Sequence, residues 1–396
     1  MREIEGFSIL EESDGIEALD SAWDGPETFI FLPERSGIKD DWLFTQLREV
    51  PSHYRRERFC LLTSGSTGEP KLVFGVRQRT ENLARTLHLA QNSEHVRTTV
   101  LTLPLTYSFA FVNQWVWARV HNRRLGLTNG LSDARKLAKV LDETQDSMIC
   151  LVGAQIPLLS RTLGESSFEG VIRVHFAGGP FPESELPTIH KMFPRAEIYN
   201  NYGCAEAMPR LTLRKAEISD VPNDVGPPLE GVRLRITDTG DIEFQSEYRV
   251  DAQISESQFE PINDEEWFPS GDKGEIAGNG HLILHGRSNA VFKRYGEKIS
   301  LMQLSKRVGE VWGSPAMFYN ETDGSGEPGH VLVLSPIPER EEVLEILRVL
   351  RNNFPRAHWP LRIEALDEVP LLPNGKEDIA LISNNPSKIV LWTQRI

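Results

Sequence analysis

The strongest constraint on the fold is an alternation of short apolar runs with amphipathic segments between residues 99 and 202. The apolar runs are 99–103, 148–152, 171–176 and 198–199. Strands that alternate with helices of this length predict a layered α/β sheet with parallel strands. Ligands of such sheets gather at the carboxyl ends of the strands. Two polar loops, AGGP at 177–180 and NNYG at 200–203, follow predicted strands and are expected at one shared cleft.

A second constraint is the run LTSGSTGEPK at residues 62–71, which lies between two short apolar runs. Glycines let successive backbone N–H groups turn toward one anion, hydroxyl groups add donors, and a lysine adds charge. A Walker loop has four residues between its glycines and a hydroxyl residue directly after its lysine. Here Gly65 and Gly68 are too close and Leu72 follows Lys71, so a P-loop NTPase is disfavoured. A phosphate-binding loop and a plain Gly/Ser surface turn both remain open.

Composition argues against several classes of protein. The chain has 396 residues, of which 39% are hydrophobic and 25% charged, as in a soluble globular enzyme of two or three domains. Its formal charge of −14 and its lack of basic runs argue against nucleic acid as a partner. An acidic amino terminus without a long apolar run predicts a cytoplasmic protein with no membrane span. The scattered residues Cys60, Cys150 and Cys204 suggest neither disulfides nor a zinc site.

The predicted fold class is α/β, with a large amino-terminal layered domain that includes a small β unit, and a small α+β domain at the carboxyl end. Residues up to about 58 read as a partial layer. Short strands and tight turns after Asp224 predict the antiparallel β unit. From about residue 288 a strand, an amphipathic helix and another strand follow one another. We therefore predict two domains, an amino-terminal core at 1–287 and a carboxyl-terminal domain at 288–396.

These segments belong to an ordered set of motifs. The run TSGSTGEPK at 63–71 is followed by LPLTYSF at 103–109, AGGP at 177–180, YGCAE at 202–206, SGD at 270–272, GRSN at 286–289, GEKIS at 296–300 and PLLPNGK at 370–376. Together they resemble the motifs of the adenylate-forming superfamily, which includes acyl-CoA and aryl-CoA synthetases, nonribosomal-peptide adenylation domains and luciferases. The resemblance covers residues 59–378. So many motifs in family order are very unlikely to arise by chance, which favours the phosphate-binding interpretation of the first run.

The resemblance implies a two-step reaction. A small carboxylic acid attacks the α-phosphate of MgATP to give an acyl-adenylate and pyrophosphate, and a thiol then takes the acyl group. Such chemistry depends on positioning and on neutralising charge at the α-phosphate. The implied cofactors are ATP, Mg²⁺ and either CoA or the phosphopantetheine of a carrier protein.

The same resemblance assigns the catalytic roles. Lys376 would bridge the attacking carboxylate and the α-phosphate, and Glu206 would be the metal ligand, since Mg²⁺ prefers hard oxygen ligands. Asp272 would bind the ribose hydroxyls, with Arg287 nearby at the domain junction. The carboxyl-terminal domain would be mobile and turn about a hinge at Asn289 between the half-reactions. Taken singly these residues are ordinary, because surface lysines, solvated loop glutamates and turn-forming aspartates are common.

The resemblance also implies a nucleotide site and a substrate pocket. The nucleotide contacts would be Thr63, Ser64, Gly65, Ser66, Thr67, Gly68, Lys71, Gly178, Gly179, Pro180, Asn201, Tyr202, Gly203, Asp272 and Arg287. The substrate pocket would be formed by Tyr107, Phe109, Gly178 and Ala207, with Phe111, Gln155, Phe176 and residues 201–207 close by. The aromatic residues and few charges of this pocket favour an apolar or aryl acid over a polar amino acid.

The chain departs from the family pattern at several points. Asn289 replaces the Asp or Lys that is usual at the hinge, and Ala205 replaces a threonine that would face the phosphate. Tyr107 stands where many relatives carry histidine. The segment before the phosphate loop is much shorter than in relatives, so part of the amino-terminal lobe is expected to be missing. A second subunit could complete the cleft, which makes a homodimer a hypothesis.

Three functions remain open. The leading hypothesis is an AMP-forming acid–thiol ligase of the acyl-CoA synthetase type, because the motif at 296–300 resembles that of acyl-CoA and aryl-acid enzymes. The first alternative is a stand-alone adenylation enzyme that loads a carrier protein. The second is a catalytically silent nucleotide-binding relative, suggested by Ala205, Asn289 and the short amino-terminal segment. The joint presence of Lys376, Glu206 and Asp272 speaks against this last alternative.

Overall fold

The computed structural model describes residues 2–34, 37–64, 70–216, 221, 223–255, 257–295, 297–370 and 377–394. The chain divides into two compact units. The first contains residues 1–236, 243–270 and 276–283, and the second contains residues 237–242, 271–275 and 284–396. The functional boundary predicted between residues 287 and 288 stays a prediction.

Strands and helices alternate through most of the chain. The strands are β1 (Arg2–Ile4), β2 (Phe7–Glu11), β3 (Phe29–Leu32), β4 (Arg58–Ser64), β5 (Pro70–Val76), β6 (Thr98–Val100), β7 (Arg124–Gly126), β8 (Ser147–Leu151), β9 (Val171–Phe176), β10 (Glu197–Tyr202), β11 (Thr212–Lys215), β12 (Val232–Ile236), β13 (Asp241–Ser246), β14 (Ala252–Ser255), β15 (Gln258–Pro261), β16 (Phe268–Ile276), β17 (Leu282–Arg287), β18 (Val291–Arg294), β19 (Glu297–Ser300), β20 (Ala316–Thr322), β21 (Pro328–Leu334), β22 (Arg362–Ala365) and β23 (Ile389–Thr393). The α-helices are α1 (Gly15–Asp24), α2 (Asp40–Leu47), α3 (Arg77–Ala90), α4 (Ser108–Ala110), α5 (Trp117–Val120), α6 (Ala134–Glu143), α7 (Ile156–Leu163), α8 (Leu186–Met192), α9 (Leu301–Gly309), α10 (Arg340–Asn353) and α11 (Ile379–Ser383), and a π-helical segment (Phe111–Val116) joins α4 to α5.

The first sheet of unit 1 carries the predicted phosphate loop. Its strand order is β1-β2-β3-β4-β5-β14-β15. Strands β2, β3 and β4 run parallel, and β4 pairs with β5 as an antiparallel hairpin. Thr63 and Lys71 are direct partners across that hairpin, so the prediction that the run at 62–71 connects two strands is confirmed, with its two ends inside β4 and β5. The residues before 58 supply β1 to β3, which agrees with their interpretation as part of a layer rather than a separate domain.

The second sheet of unit 1 is the predicted parallel sheet. Its order is β11-β10-β9-β8-β6-β7, and only β11, at one edge, runs antiparallel to its neighbour. Strands β8 and β9 are fully buried. Their apolar side chains form one core with residues of α6, α7 and α8. The four carboxyl ends of β6, β8, β9 and β10 therefore lie on one edge, as the alternation of runs predicts.

The second unit contains the predicted strand–helix–strand segment. Strands β20, β21, β22 and β23 form a sheet in that order, with β21 and β22 parallel across the connection made by α10. Helices α9 and α10 bury Leu304, Val308, Ile346 and Leu350 in a core shared with this sheet. A further sheet has the order β12-β13-β16-β17, and the division between the units falls within its strands. The predicted α/β class, with a large amino-terminal part and a smaller α+β part, is confirmed.

Within the described ranges, every helix is either too short or too polar to cross a membrane.

Candidate functional site

An ion pair joins the two sheets of unit 1. The Nζ atom of Lys71, at the start of β5, lies 2.7 Å from Oε1 of Glu206. Glu206 occupies a 3₁₀ turn (Ala205–Ala207) that follows β10, and its carbonyl accepts a hydrogen bond from the backbone N–H of Val250. Both side chains are mostly covered. The structure thus brings two predicted site residues together at the carboxyl end of the parallel sheet.

The charge on Glu206 depends on this partner. Burial by itself raises the pKa of Glu206, but the attraction and hydrogen bond of Lys71 outweigh burial and hold that pKa below its usual value of 4.5. Glu206 is therefore ionised at neutral pH. An ionised carboxylate suits Mg²⁺ as a hard oxygen ligand, and the adjacent ammonium suits a phosphate oxygen. Among the described residues no group of three or more acidic, histidine or cysteine side chains is placed to hold a metal ion.

The loops predicted to contact the nucleotide follow β9 and β10 and depend on glycine. Gly178 has φ +81°, a conformation that side chains rarely adopt. At Gly203 a Cβ atom would lie 1.9 Å from the carbonyl oxygen of Pro209. The chain therefore doubles back tightly after β10, and this turn places Glu206 against Lys71.

We expect Gly203→Ala to lower the free energy of unfolding by about 1–3 kcal/mol, because the added methyl group forces the backbone at Pro209 to move. The matched control is Gly278→Ala, where a Cβ atom has no neighbour within 4 Å and the backbone is not in the left-handed region. Urea unfolding of both variants measures the difference. Equal stability of the two alanine variants would contradict the close approach.

Asn201 and Tyr202 fix the end of β10. The Nδ2 atom of buried Asn201 donates to the carbonyls of Phe176 and Tyr199, at 3.0 and 3.2 Å, and so ties β10 to β9. The carbonyl of Tyr202 accepts from the backbone N–H of Leu211 at 2.9 Å. The Asn201 side chain is thus engaged within the fold, and its predicted contact with a nucleotide stays a prediction.

The predicted substrate-pocket residues have different surroundings. Phe109 is buried, and the guanidinium carbon of Arg210 lies 5.0 Å from its ring centroid. Tyr107, just before α4, is half-buried, and burial together with the charge of Glu12 raises its pKa. Ala207 is fully buried.

Two residues expected near the pocket have contacts within the fold. Phe111 packs against Phe59 and Trp115, with ring centroids 4.8 and 4.9 Å apart, in an aromatic cluster of the core. Gln155 is the last residue of a 3₁₀ turn (Gly153–Gln155), and its Oε1 atom accepts a hydrogen bond from the backbone N–H of Val152, which precedes the turn. That these two side chains also line the substrate pocket stays a prediction.

Asp272 and Arg287 lie close to each other in unit 2. Their Oδ1 and Nη1 atoms are 3.5 Å apart; Asp272 is well covered and Arg287 is mostly exposed. The expectation that Arg287 lies near Asp272 is confirmed, while the binding of ribose stays a prediction. Asn289 lies in a 3₁₀ turn (Ser288–Ala290). The hydroxyl of Ser288 donates to Asp241 at 2.9 Å, which anchors the start of this turn.

The remaining predicted residues are only partly described. Ser64 pairs with Pro70 in the β4–β5 hairpin. Gly65, Ser66, Thr67 and Gly68 lie outside the described residues, as does Lys376. Gly179 and Pro180 follow Gly178 in the loop after β9, where the Pro180 carbonyl oxygen would lie 2.4 Å from a Cβ atom at Gly153.

Two open clefts lie away from the predicted site. One, of about 700 Å³, is lined by charged residues near the amino ends of the parallel strands, including Arg97, Asp146, Arg173 and Glu197. The other, of about 480 Å³, is lined by residues that include Asp20 and Arg119. Neither contains a predicted site residue. The carboxyl ends of parallel strands are the usual ligand edge of such sheets, so we place the site at the Lys71–Glu206 pair.

Sequence reasoning missed a group of buried polar side chains beside Phe109. Arg210 and His175 are both fully buried, and Asn113, Cys150 and Gln91 lie in the same network. Arg210 follows the YGCAE motif in sequence and is the first signal that could have found the group.

Comparisons with known proteins agree with the fold and the site. The sequence profile of the family described as AMP-binding enzyme matches residues 16–246, which is more than half of the chain. A D-alanine–D-alanyl carrier protein ligase of Staphylococcus aureus (strain bovine RF122 / ET3-1) is 25% identical over 344 residues, covering 81% of this chain and 69% of the relative.

Solved structures show the same architecture. O-succinylbenzoate coenzyme A synthetase from Bacillus subtilis, in complex with AMP, superposes with a TM-score of 0.70 at 16% identity, covering 98% of this chain and 84% of that protein. The anthranilate CoA ligase AuaEII, in complex with anthranoyl-AMP, superposes with a TM-score of 0.69 at 15% identity, covering 95% and 77%. At these identities the likeness shows the fold.

The chain belongs to the AMP-binding enzyme family. This confirms the adenylate-forming superfamily predicted from the motifs, and with it the class of an ATP-dependent, AMP-forming ligase.

Proposed function

We propose that this chain activates a carboxylic acid with MgATP and transfers the acyl group to the thiol of CoA. The observation that carries the proposal is the Lys71–Glu206 pair at the carboxyl end of the parallel sheet. It puts a cation and an ionised carboxylate beside the hairpin predicted to hold phosphate. Retention of this pair in a chain of the AMP-binding family supports a working ligase over a silent relative.

In the first step a carboxylate oxygen attacks the α-phosphorus of ATP, the bond to the β-phosphate oxygen breaks, and pyrophosphate leaves. Lys71 neutralises charge on the phosphates held by Thr63 and the following loop. Glu206 would hold Mg²⁺, which when bound neutralises charge on the phosphate oxygens. Lys376 contacts the attacking carboxylate and the α-phosphate. Asp272 accepts hydrogen bonds from the ribose hydroxyls.

In the second step the thiol sulfur attacks the acyl carbonyl carbon, AMP leaves, and the thiol proton is released to solvent. We propose that residues 288–396 turn about Asn289 between the steps, which withdraws Lys376 after adenylation. The motif at 296–300 favours CoA as acceptor. The similarity to a carrier protein ligase favours a second candidate, the phosphopantetheine of a carrier protein. The two acceptors share the same thiol arm.

The test is acid-dependent exchange of labelled pyrophosphate into ATP, followed by thioester formation with CoA or with a phosphopantetheinylated carrier. We expect at least one acid of a broad panel, including diacids, to raise exchange well above the acid-free rate, and omission of Mg²⁺ to remove it. Thioester formation only with the carrier would replace CoA by the second candidate. Binding of ATP without exchange for any acid would contradict the proposal and favour a silent relative.

A further inference from the structure

Arg210 is a buried cation with few partners. Its side chain is fully enclosed, and its Nη2 atom donates to Oδ1 of Asn113 at 3.2 Å. Within the described part of the chain, its Nε and Nη1 atoms have no hydrogen-bond partner. Buried polar groups are nearly always paired, and a buried charge is costly unless it is paired. Two unpaired N–H donor groups on one buried guanidinium therefore need an explanation.

The other buried arginines are bonded differently. Arg77 donates to three backbone carbonyls, those of Trp23, Gly25 and Glu27. Arg173 and Arg249 also reach backbone carbonyls, and Arg214 and Arg294 pair with carboxylates. Among the buried arginines in the described ranges, Arg210 alone has neither kind of partner for its side chain. Single nitrogens of Arg77, Arg214 and Arg249 and two of Arg294 are also unpaired, but each of these side chains has a carbonyl or carboxylate partner. The lack of any such partner at Arg210 points to a missing anion.

The neighbouring ionisable groups do not supply a negative charge. Burial raises the pKa of Cys150 to about 12, so it is a neutral thiol that accepts a hydrogen bond from Asn113 at 3.3 Å. Burial and the charge of Arg210 hold the pKa of His175 well below its usual value, so that imidazole is neutral. Burial lowers the pKa of Arg210 only to about 10, so the guanidinium keeps its charge at neutral pH.

The position of Arg210 connects this charge to the predicted site. Its backbone N–H donates to the carbonyl of Ala207, in the turn that carries Glu206. Its guanidinium lies over Phe109, a residue predicted for the acyl pocket. Gln91 donates to both Asn113 and Asn201, at 2.9 and 3.4 Å, which links the group to the end of β10. Side chains from different elements thus surround one unpaired cation beside the predicted acyl site.

We propose that Arg210 selects the acyl substrate and that this substrate carries a second carboxylate, which accepts hydrogen bonds from the unpaired N–H groups of Arg210. The inference rests on the proposed function, because it assigns the second anionic group of the acid whose first carboxylate is activated. An amino acid would bring an ammonium group toward the same cation, and a simple apolar acid would leave the charge uncompensated. A diacid neutralises it.

The test compares matched acids in pyrophosphate exchange, with hexanoate against adipate and benzoate against the benzenedicarboxylates. For the wild-type enzyme we expect kcat/KM with at least one diacid to exceed kcat/KM with the matched monoacid by about 10-fold to 150-fold. This is the range for hydrogen bonds to a charged group. Arg210→Met should remove or reverse that preference, and Arg210→Lys should keep part of it. The control Arg77→Met should keep the wild-type ratio. Equal use of the matched acids by the wild type, or an unchanged ratio in Arg210→Met, would overturn the proposal.

A second readout does not need activity. Without substrate, Arg210→Met should unfold at a temperature equal to or above that of the wild type, because it removes an uncompensated buried charge. Arg77→Met should unfold at a lower temperature, because it leaves three carbonyls without their donor. A diacid should raise the unfolding temperature of the wild type but not of Arg210→Met. Failure of both Arg210→Met and Arg210→Lys to fold would overturn the proposal by giving Arg210 a structural role.

Pyrophosphate exchange and thermal unfolding together distinguish failure of the proposed ligase reaction from failure of the proposed role of Arg210. If no acid supports exchange but the diacid still stabilises the wild type through Arg210, the proposed ligase reaction fails and the anion site stands. If monoacids support exchange as well as diacids do, the ligase stands and the role of Arg210 fails.

Discussion

Replacing Lys376 by alanine is expected to lower the rate of adenylate formation by about 10²- to 10³-fold. This is the cost of removing one preorganised hydrogen-bond donor that stabilises negative charge in a transition state. The proposed lysine contacts two anions at the moment when negative charge moves onto the α-phosphate, so its absence acts on kcat more than on the KM for ATP. Pyrophosphate exchange measures the first step alone. The control is Lys306→Ala, on an exposed face of α9, which should leave exchange unchanged.

The second half-reaction distinguishes this role from a general loss of activity. Thioester formation from a synthetic acyl-adenylate does not need a group at the attacking carboxylate, so Lys376→Ala should keep nearly the wild-type rate there. An equal loss in both half-reactions would contradict the role proposed for Lys376. Normal pyrophosphate exchange by Lys376→Ala would mean that another residue of the chain neutralises the charge at the α-phosphate.

Replacing Glu206 by glutamine is expected to lower adenylate formation by about 10²-fold or more, because the amide keeps the shape but loses the charge that would hold Mg²⁺ and pair with Lys71. The control is Glu197→Gln. Glu197 lies on the same strand β10 but at its amino end, where it pairs with Lys215 at 2.7 Å. Exchange measured over a range of Mg²⁺ concentrations should show a weaker Mg²⁺ dependence for Glu206→Gln only. Loss of exchange in both variants to the same extent would mean that the ion pairs act through stability.

The same variant tests the charge of Glu206 through pH. The pKa of Glu206 in the folded protein lies below the 4.5 of the unfolded chain, so the unfolded state binds more protons as the pH falls. The contribution of the ion pair to stability is therefore complete above about pH 4.5 and is lost as the pH falls through the folded pKa. Urea unfolding between pH 3 and pH 7 should show a higher free energy of unfolding for the wild type than for Glu206→Gln at neutral pH, and this gap should close only below about pH 4.5. A gap that widens in acid would contradict an ionised Glu206.

Much of the fold follows from sequence periodicity. Buried parallel strands such as β8 and β9 are continuous apolar runs, and the loops after strands β9 and β10 lie where parallel strands must end together. The placing of Lys71 and Glu206 in one site came from the resemblance of the motifs at 63–71 and 202–206 and not from periodicity, because Lys71 begins β5 of the other sheet.

The surroundings of individual side chains depend on tertiary packing, which local sequence patterns do not predict. Arg210 reads as an ordinary polar residue before β11, and only the packing of Phe109 and the neighbouring strands shows that its charge is enclosed. Phe111 resembles a pocket aromatic by position, but the π-helical segment turns it into the core beside Trp115. The sequence also did not show that the Gln155 amide caps the backbone N–H of Val152.

The Lys71–Glu206 pair also affects how the protein exists without substrates. Because Lys71 and Glu206 neutralise each other, this part of the nucleotide site carries no uncompensated charge in the absence of ATP. Among the described residues the guanidinium of Arg210 has no carboxylate or carbonyl partner, so the proposed acyl half lacks this internal balance. The two halves of the site therefore differ in the effect of ligand binding. Phosphate replaces Glu206 as the partner of Lys71, whereas the second carboxylate of the proposed acid gives the charge of Arg210 a new partner.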